Sequence, residues 1–251
     1  MDALVAHLSK ELKSSFFSSP PSSALILLWP TASLHQQRAI VTRKDGEVGH
    51  PHEDQVTKIL GAPLVLYSYD GKNNFLEFKI RGEVFRGHWS DKSLGREVAA
   101  ALGIPYQAGR TMKAANNPQQ VTDLFHVWSR ASFAGIQKTD IDFLLLDDRG
   151  IRALVEVKRS AKVPVGEWMP YKQDPYDGLA HFAQTWKVPL FTIHHTIIGE
   201  GEREISYDTV VDVFEYHPHS PFDFDSFASN SNRQIMPLQD LIKRLQSLHN
   251  K

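Results

Sequence analysis

Two apolar runs joined by a short polar turn constrain the fold of this chain more than any other feature of its sequence. Residues 141–146 and 153–157 are mostly aliphatic or aromatic, and the segment Asp147-Asp148-Arg149-Gly150 lies between them. Such a turn between two apolar runs predicts a β-hairpin. Because apolar residues fall on both faces of each run, we expect the two strands to lie in the buried centre of a sheet.

The remaining chain alternates between short apolar runs and amphipathic segments, which is typical of an α/β protein. The further strands that we predict are 24–29, 38–42, 64–69, 75–80, 83–89, 121–128, 189–198 and 209–216. The predicted helices are 2–13, 53–60, 92–102, 176–186 and 238–248, and residues 217–232 are predicted to form a long loop. This pattern divides the chain into an N-terminal helix plus β-rich region, 1–90, and an α/β region, 91–251. The first region is a candidate for substrate recognition or dimerisation.

Composition excludes several classes of function. The chain has no cysteine, so disulfides, thiolate nucleophiles and Cys-ligated metal sites are excluded. The 28 Lys and Arg nearly balance the 29 Asp and Glu, which argues against binding nucleic acid by bulk charge alone. No apolar run approaches the roughly 20 residues that span a bilayer. With no pattern typical of a secretion signal, we expect a soluble cytoplasmic protein without a membrane partner.

The charge is spread unevenly along the chain. Residues 79–113 contain seven basic residues against three acidic ones, and residues 199–226 contain eight acidic residues against Arg203 alone. The first stretch could face a polyanion, which the second would repel. Two solvated faces of opposite sign explain the same pattern equally well.

Three charged residues interrupt the apolar hairpin at its open end. A turn centred on residues 148–150 places Glu156 opposite Ile141 or Asp142, and Lys158 lies on the same face of its strand as Glu156. Charges on buried strands are costly unless a metal or a partner neutralises them. Two carboxylates can hold Mg²⁺, and an ammonium group can steady the negative charge that develops on a phosphate or orient the attacking water.

This arrangement of Asp142 followed by Glu156-Val157-Lys158 resembles the active-site motif of the PD-(D/E)XK nuclease superfamily, which has the restriction-endonuclease-like fold. The resemblance covers about residues 93–195. It implies a central mixed β-sheet flanked by helices, here with a β-rich N-terminal elaboration, and Mg²⁺-dependent hydrolysis of DNA backbones. It also implies that Asp142 and Glu156 bind the metal and that Lys158 is the catalytic lysine.

The same resemblance makes two further acids, Glu97 and Asp140, candidates for the site. Many members of the superfamily add a glutamate from an upstream helix, and Glu97 stands in the matching place within residues 94–103. The superfamily's proline before the first aspartate is absent, because Ile141 precedes Asp142 and Thr139 precedes Asp140. Either Asp140 or Asp142 can therefore be the primary metal ligand, and the hairpin register favours Asp142.

The acid-any-lysine pattern alone is not specific, since it also occurs at 11–13, 70–72 and 77–79. The first lies on a predicted helix and the second in a turn. The third lies on a predicted strand, but the hairpin there places Glu77 opposite about Tyr67, with no acid across from it. The alternative for the charged residues at 142–158 is a structural salt bridge at the protein surface, between Lys158 and Asp142 or Asp140, with no function.

Several polar residues near the motif are candidates for contact with nucleic acid. Arg96 precedes Glu97, Arg159 and Lys162 follow the lysine strand, and Lys172 and Gln173 precede a predicted helix. Basic side chains commonly contact phosphates, although ordinary solvent exposure explains such residues as well. The pairs His50/His52 and His217/His219 are weaker candidates for a zinc site. No phosphate-binding loop is present, so we expect no nucleotide cofactor.

The resemblance implies a Mg²⁺-dependent endonuclease that acts on double-stranded DNA, such as a type II restriction enzyme, with Mn²⁺ able to replace Mg²⁺. Symmetry favours a homodimer, because two sites are needed to cut two strands. A structure-specific or repair nuclease of the same superfamily, such as a junction resolvase, is the nearest alternative. A non-catalytic nucleic-acid-binding module that kept the fold is the alternative from another class.

Overall fold

A computed structural model describes residues 3–12, 16–18, 23–106, 124–196 and 209–248. The chain forms two compact units. The discontinuous unit consists of Met1–Ser18 and Ile141–Lys251, and the inserted unit consists of Ser19–Asp140.

The elements are numbered in chain order across both units. The strands are β1 (Phe16–Ser18), β2 (Ala24–Pro30), β3 (Arg38–Lys44), β4 (Leu64–Asp70), β5 (Phe75–Ile80), β6 (Glu83–His88), β7 (Ile136–Ile141), β8 (Phe143–Asp147), β9 (Gly150–Ser160), β10 (Leu190–Thr196), β11 (Val210–Tyr216) and β12 (Gln234–Pro237). The helices are α1 (Ala3–Leu12), α2 (Glu53–Leu60), α3 (Lys92–Leu102), α4 (Leu124–Ser132), α5 (Gln173–Trp186), α6 (Phe224–Phe227) and α7 (Leu238–Ser247).

The discontinuous unit is built on a six-stranded mixed sheet in the order β1-β8-β9-β10-β11-β12. Strands β9 and β10 are parallel and are connected through α5, whereas the other neighbours are antiparallel. Parallel neighbours need such a crossover, because a tight turn can join only antiparallel strands. In this strand order the hairpin β8–β9 lies between β1 and β10, in the interior of the sheet.

Helices cover both faces of this sheet. On one face α1 and α7 bury their apolar stripes, including Leu4, Leu8 and Leu241, against alternate residues such as Phe143 and Val155. On the other face α5 contacts β9, β10 and α6. Burial on both faces explains why β8 and the middle of β9 are continuous apolar runs.

The inserted unit has a second six-stranded mixed sheet in the order β6-β5-β4-β3-β2-β7, in which β3 and β4 are parallel. Its core joins one face of this sheet to α3 and α4 and includes the fully buried Phe78, Phe125 and Trp128. The side chain of Asp91 caps α3 by accepting from the backbone N–H of Ser93, and Gly103 ends the helix with a φ of 67°.

The α/β class and most predicted elements are confirmed. The exception is the strand predicted at 121–128, which is wrong: residues 124–128 belong to helix α4. Leu124, Phe125 and Trp128 form a helical stripe that is buried in the core of the inserted unit. The predicted loop at 217–232 also contains the short helix α6.

The division into units also differs from the boundary predicted at residue 90. Helix α1 packs with the C-terminal half of the chain, and α3 packs with the β-rich region. A helix is assigned to a unit by the core that buries its apolar stripe, and position along the chain does not reveal that core.

Candidate active site

The register of the β8–β9 hairpin brings the predicted acids together. Phe143 pairs with Val155 and Leu145 pairs with Ala153, and extending this register by one residue beyond the start of β8 places Asp142 next to Glu156. Asp142 lies at a bend just before β8, where its Oδ2 accepts the backbone N–H of Val157 at 2.6 Å. This hydrogen bond fixes the carboxylate of Asp142 beside the strand that carries Glu156 and Lys158.

Glu156 and Lys158 form an ion pair on the face of β9 that points towards α5. The ammonium group of Lys158 donates to Oε1 of Glu156. The side chain of Glu156 is 5% exposed and that of Lys158 is 37% exposed. A nearly buried carboxylate is therefore balanced by a cation that still reaches solvent.

The surroundings keep Lys158 charged. Burial lowers the pKa of its ammonium group, but the negative charges of Glu156 and Asp142 outweigh that effect and raise the pKa above the ordinary value of 10.5. At neutral pH Lys158 is consequently a cation. As a cation it can donate hydrogen bonds and stabilise negative charge.

Two hydroxyl groups that the sequence analysis missed complete this group of side chains. Tyr176 on α5 is 3% exposed, and Thr192 on β10, which pairs with Glu156, is fully buried. Burial raises the pKa of the Tyr176 hydroxyl, while the positive charge of Lys158 opposes the rise, so the phenol stays protonated at neutral pH. In the sequence, Tyr176 lies three residues after Gln173, at the start of a predicted amphipathic helix. A tyrosine at that position indicates packing in the core and does not by itself indicate a functional site.

Three of the predicted site residues belong to the inserted unit. Glu97 and Arg96 are exposed on α3, and Asp140 is exposed on β7. Asp140 lies on β7, which ends at Ile141, whereas Asp142 directly precedes β8, which begins at Phe143. The two aspartates flank the point where the chain passes from one sheet to the other.

The predicted nucleic-acid contacts of the discontinuous unit are all exposed: Arg159, Lys162, Lys172 and Gln173. Arg159 lies on the opposite face of β9 from Lys158, since side chains alternate along a strand. Gln173 begins α5 and donates to Asp177 at 3.3 Å. Lys172 lies over the ring of Tyr171, 5.6 Å from its centroid.

The competing motif at 77–79 is more elaborate than its sequence predicted. Glu77 pairs with Ser68 rather than Tyr67, and Asp45 approaches from the end of β3, with its Oδ2 2.6 Å from Lys79 Nζ. No acid lies across from Glu77, as expected, but Asp45 pairs with Lys79, which the sequence did not predict. However, the side chain of Glu77 is 21% exposed and is also bound by Arg86, so this set forms an open surface network.

The donor set at the hairpin fits a magnesium ion. Among the described residues there is no cluster of three or more His, Asp and Glu side chains that could hold a metal, and the hairpin provides two carboxylates. Mg²⁺ keeps several of its waters and is commonly bound by one or two carboxylates together with substrate phosphates. The oxygen donors of Asp142 and Glu156 match that preference. The same finding leaves the zinc prediction for the histidine pairs without support among the described residues.

Comparison of the chain with family models, with curated proteins and with solved structures finds no match. The resemblance to PD-(D/E)XK nucleases thus depends on the hairpin residues themselves. Within the described part of the chain, no helix is both long and apolar enough to cross a membrane.

Proposed function

We propose that the discontinuous unit is a Mg²⁺-dependent nuclease that hydrolyses phosphodiester bonds of double-stranded DNA. The observation that carries this proposal is the convergence of Asp142, Glu156 and Lys158 at one end of a buried hairpin. A nearly buried acid paired with a half-exposed lysine has no evident structural need at the end of a hairpin whose residues 143–146 and 153–155 are buried and apolar.

Each residue has a distinct part in this mechanism. Asp142 and Glu156 would hold Mg²⁺, which supplies charge to the scissile phosphate and acidity to its bound water. Lys158 donates hydrogen bonds to the attacking water or to the phosphate oxygens as negative charge develops on them.

The test is cleavage of supercoiled and linear plasmid DNA with Mg²⁺, with Mn²⁺ and with EDTA. We expect metal-dependent cleavage by the wild type and its loss in Glu156→Ala, since the variant lacks a metal ligand. Lys158→Ala should lower kcat by about 100-fold, as removal of one charge-stabilising donor typically does. Cleavage that persists in EDTA or in Glu156→Ala would contradict the proposal.

The motif at 77–79 offers a matched control in the same chain. Glu77→Ala and Lys79→Ala remove the same residue types from a strand with the same acid-any-lysine spacing. Because that network is open to solvent, we expect both variants to retain wild-type cleavage. A loss in these variants with full activity in Glu156→Ala would move the site to the inserted unit.

The products separate the alternatives within the nuclease class. Discrete fragments from linear DNA indicate a sequence-specific restriction enzyme, and two sites in a homodimer would account for cutting of both strands. Nicking, or activity confined to branched DNA, indicates a resolvase or repair nuclease. Binding without turnover, unchanged in Lys158→Ala, indicates a non-catalytic module.

A further inference from the structure

The loop 161–168 follows directly after β9 and is held by an unusually buried polar network. Ser160 ends β9 on the same face as Lys158, and His194 is paired with Lys158 on the neighbouring strand β10. The centre of the network is the pair His194 and Asp212, both fully buried, with 3.0 Å between Nδ1 and Oδ2.

This network fixes the loop at three separate points. The hydroxyl of Ser160 lies 3.0 Å from His194 Nε2 and donates to the carbonyl of Val163 at 2.7 Å. The other oxygen of Asp212 accepts the backbone N–H of Gly166 at 2.8 Å. The ring of Trp168 is stacked on His194, with 4.8 Å between centroids and 9° between planes.

Holding a surface loop with a buried His–Asp pair costs free energy. Removing two polar groups from water costs free energy, and apolar replacements of similar volume are often neutral or stabilising. The benefit of the network is therefore geometric: it orders backbone and side chains of the loop before any ligand binds. The Gly166 position shows the same constraint, since its φ of +91° disfavours other residues.

The exposed residues of the loop indicate which kind of ligand the ordered loop could bind. Lys162 is exposed two residues after Ser160, and Pro164 and Glu167 are exposed further along. Lys162 stands between two anchored positions, Ser160 and Val163, so its backbone has little freedom. A lysine whose backbone is held next to the strand of Lys158 is suited to a phosphate of the DNA backbone, whereas the acidic Glu167 lies at the end of the loop that a phosphate would avoid.

We propose that loop 161–168 is a preorganised phosphate-binding arm of the nuclease, in which Lys162 contacts the DNA backbone and Ser160, His194 and Asp212 are positioning residues that fix it. This inference rests on the proposed function, because the phosphate is part of the DNA substrate. It adds a substrate contact and its support, which are separate from Asp142, Glu156 and Lys158.

The experiment is a double-mutant cycle of Ser160→Ala and Lys162→Ala in the full chain. Binding of a fluorescein-labelled DNA duplex is measured by anisotropy in EDTA as a function of salt, and KM and kcat are measured with Mg²⁺. We expect Lys162→Ala to weaken binding several-fold, to lower the salt slope by about 1 and to leave kcat unchanged. Ser160→Ala should reproduce a part of that effect, and it should have none in the Lys162→Ala background.

Ser229→Ala is the matched control, since its hydroxyl also donates to a backbone carbonyl, that of Ser226. It should leave Kd and the salt slope unchanged. Additive effects of Ser160→Ala and Lys162→Ala, or a loss of thermal stability in Ser160→Ala with wild-type Kd, would make the network purely structural and overturn the inference. If the wild type cleaves DNA in these cases, the proposed function stands; if it neither cleaves nor binds DNA, both proposals fail.

Discussion

In a sequence it is difficult to separate a residue that belongs to a functional site from one that only packs in the core. Glu156 and Lys158 were recognisable because charge in an apolar strand is rare, and the structure brings both to one end of the hairpin with Asp142. Tyr176 and Thr192 were missed, because a tyrosine on a helical stripe and a threonine in a strand are ordinary core residues. Which of these hydroxyls faces the ion pair depends on how α5 lies on the sheet, and that is decided by tertiary packing.

The raised pKa of Lys158 makes a prediction about stability at high pH. Its pKa is higher in the folded than in the unfolded chain, so its contribution to the free energy of unfolding is complete below about pH 10.5 and is lost as the pH rises further. Lys158→Met should therefore differ from the wild type by a constant amount at neutral pH, and this difference should shrink in alkaline solution. Urea unfolding as a function of pH measures it.

Lys10→Met provides the control for that series, because Lys10 is exposed on α1. Urea unfolding of Lys10→Met over the same pH range gives the reference for removal of an exposed lysine. A pH-independent difference for Lys158→Met would mean that the carboxylates of Glu156 and Asp142 do not raise the pKa of Lys158.

A glycine in the inserted unit has a similarly local constraint. A Cβ on Gly49 would lie 2.9 Å from both carboxylate oxygens of Glu53. Glu53 cannot easily yield, because Ser23 donates to it and Arg43 Nε lies 3.2 Å from its Oε2. We expect Gly49→Ala to lower the free energy of unfolding by about 1–3 kcal/mol, as overpacking typically does.

The measurement for Gly49 is again a double-mutant cycle in urea. Glu53→Ala removes the obstructing carboxylate, so Gly49→Ala should cost much less in that background. Equal costs in both backgrounds would attribute the effect to the backbone of the loop rather than to the contact with Glu53.

At the scale of elements, the sequence predicted strands and helices well wherever one period dominated. The register of the β8–β9 hairpin followed from its turn, and α3 coincides with the helix predicted at 92–102. The failure at 121–128 came from a segment with too few polar residues to distinguish a period of two from one of 3.6. The aromatic residues that resembled a strand are the buried stripe of α4, and only the core of the inserted unit reveals this.

Helix α4 should therefore be a major source of stability for the inserted unit. Trp128 is fully buried, and its ring lies 4.5 Å from that of Phe78 and 5.4 Å from that of Phe133, measured between centroids. We expect Trp128→Ala to lower the free energy of unfolding by about 3–5 kcal/mol. A change below about 1 kcal/mol in urea unfolding, comparable to that of the surface variant Lys58→Ala, would contradict the packing of α4.

At the scale of the whole molecule, the two units differ in charge. The inserted unit contains 14 Lys and Arg against 11 Asp and Glu, a net charge of +3, and the rest of the chain carries 14 against 18, a net charge of −4. In the sequence this asymmetry is visible as the basic stretch at 79–113, which the boundary predicted at residue 90 divides between two regions. A polyanionic substrate would be attracted by the inserted unit and repelled by much of the other.

This asymmetry predicts that basic residues far from the hairpin in sequence contribute to DNA binding. Arg81, in the turn between β5 and β6, and Lys92, at the start of α3, are both exposed in the inserted unit. The double variant Arg81→Ala/Lys92→Ala should weaken binding of a DNA duplex and lower its salt slope, while kcat stays at the wild-type value because neither residue belongs to the ion-paired group at the hairpin. The control is Lys187→Ala/Lys243→Ala, which removes two exposed cations from the acidic unit. Equal losses of affinity in the two double variants would mean that DNA responds to the net charge of the chain and that the inserted unit has no particular part in substrate recognition.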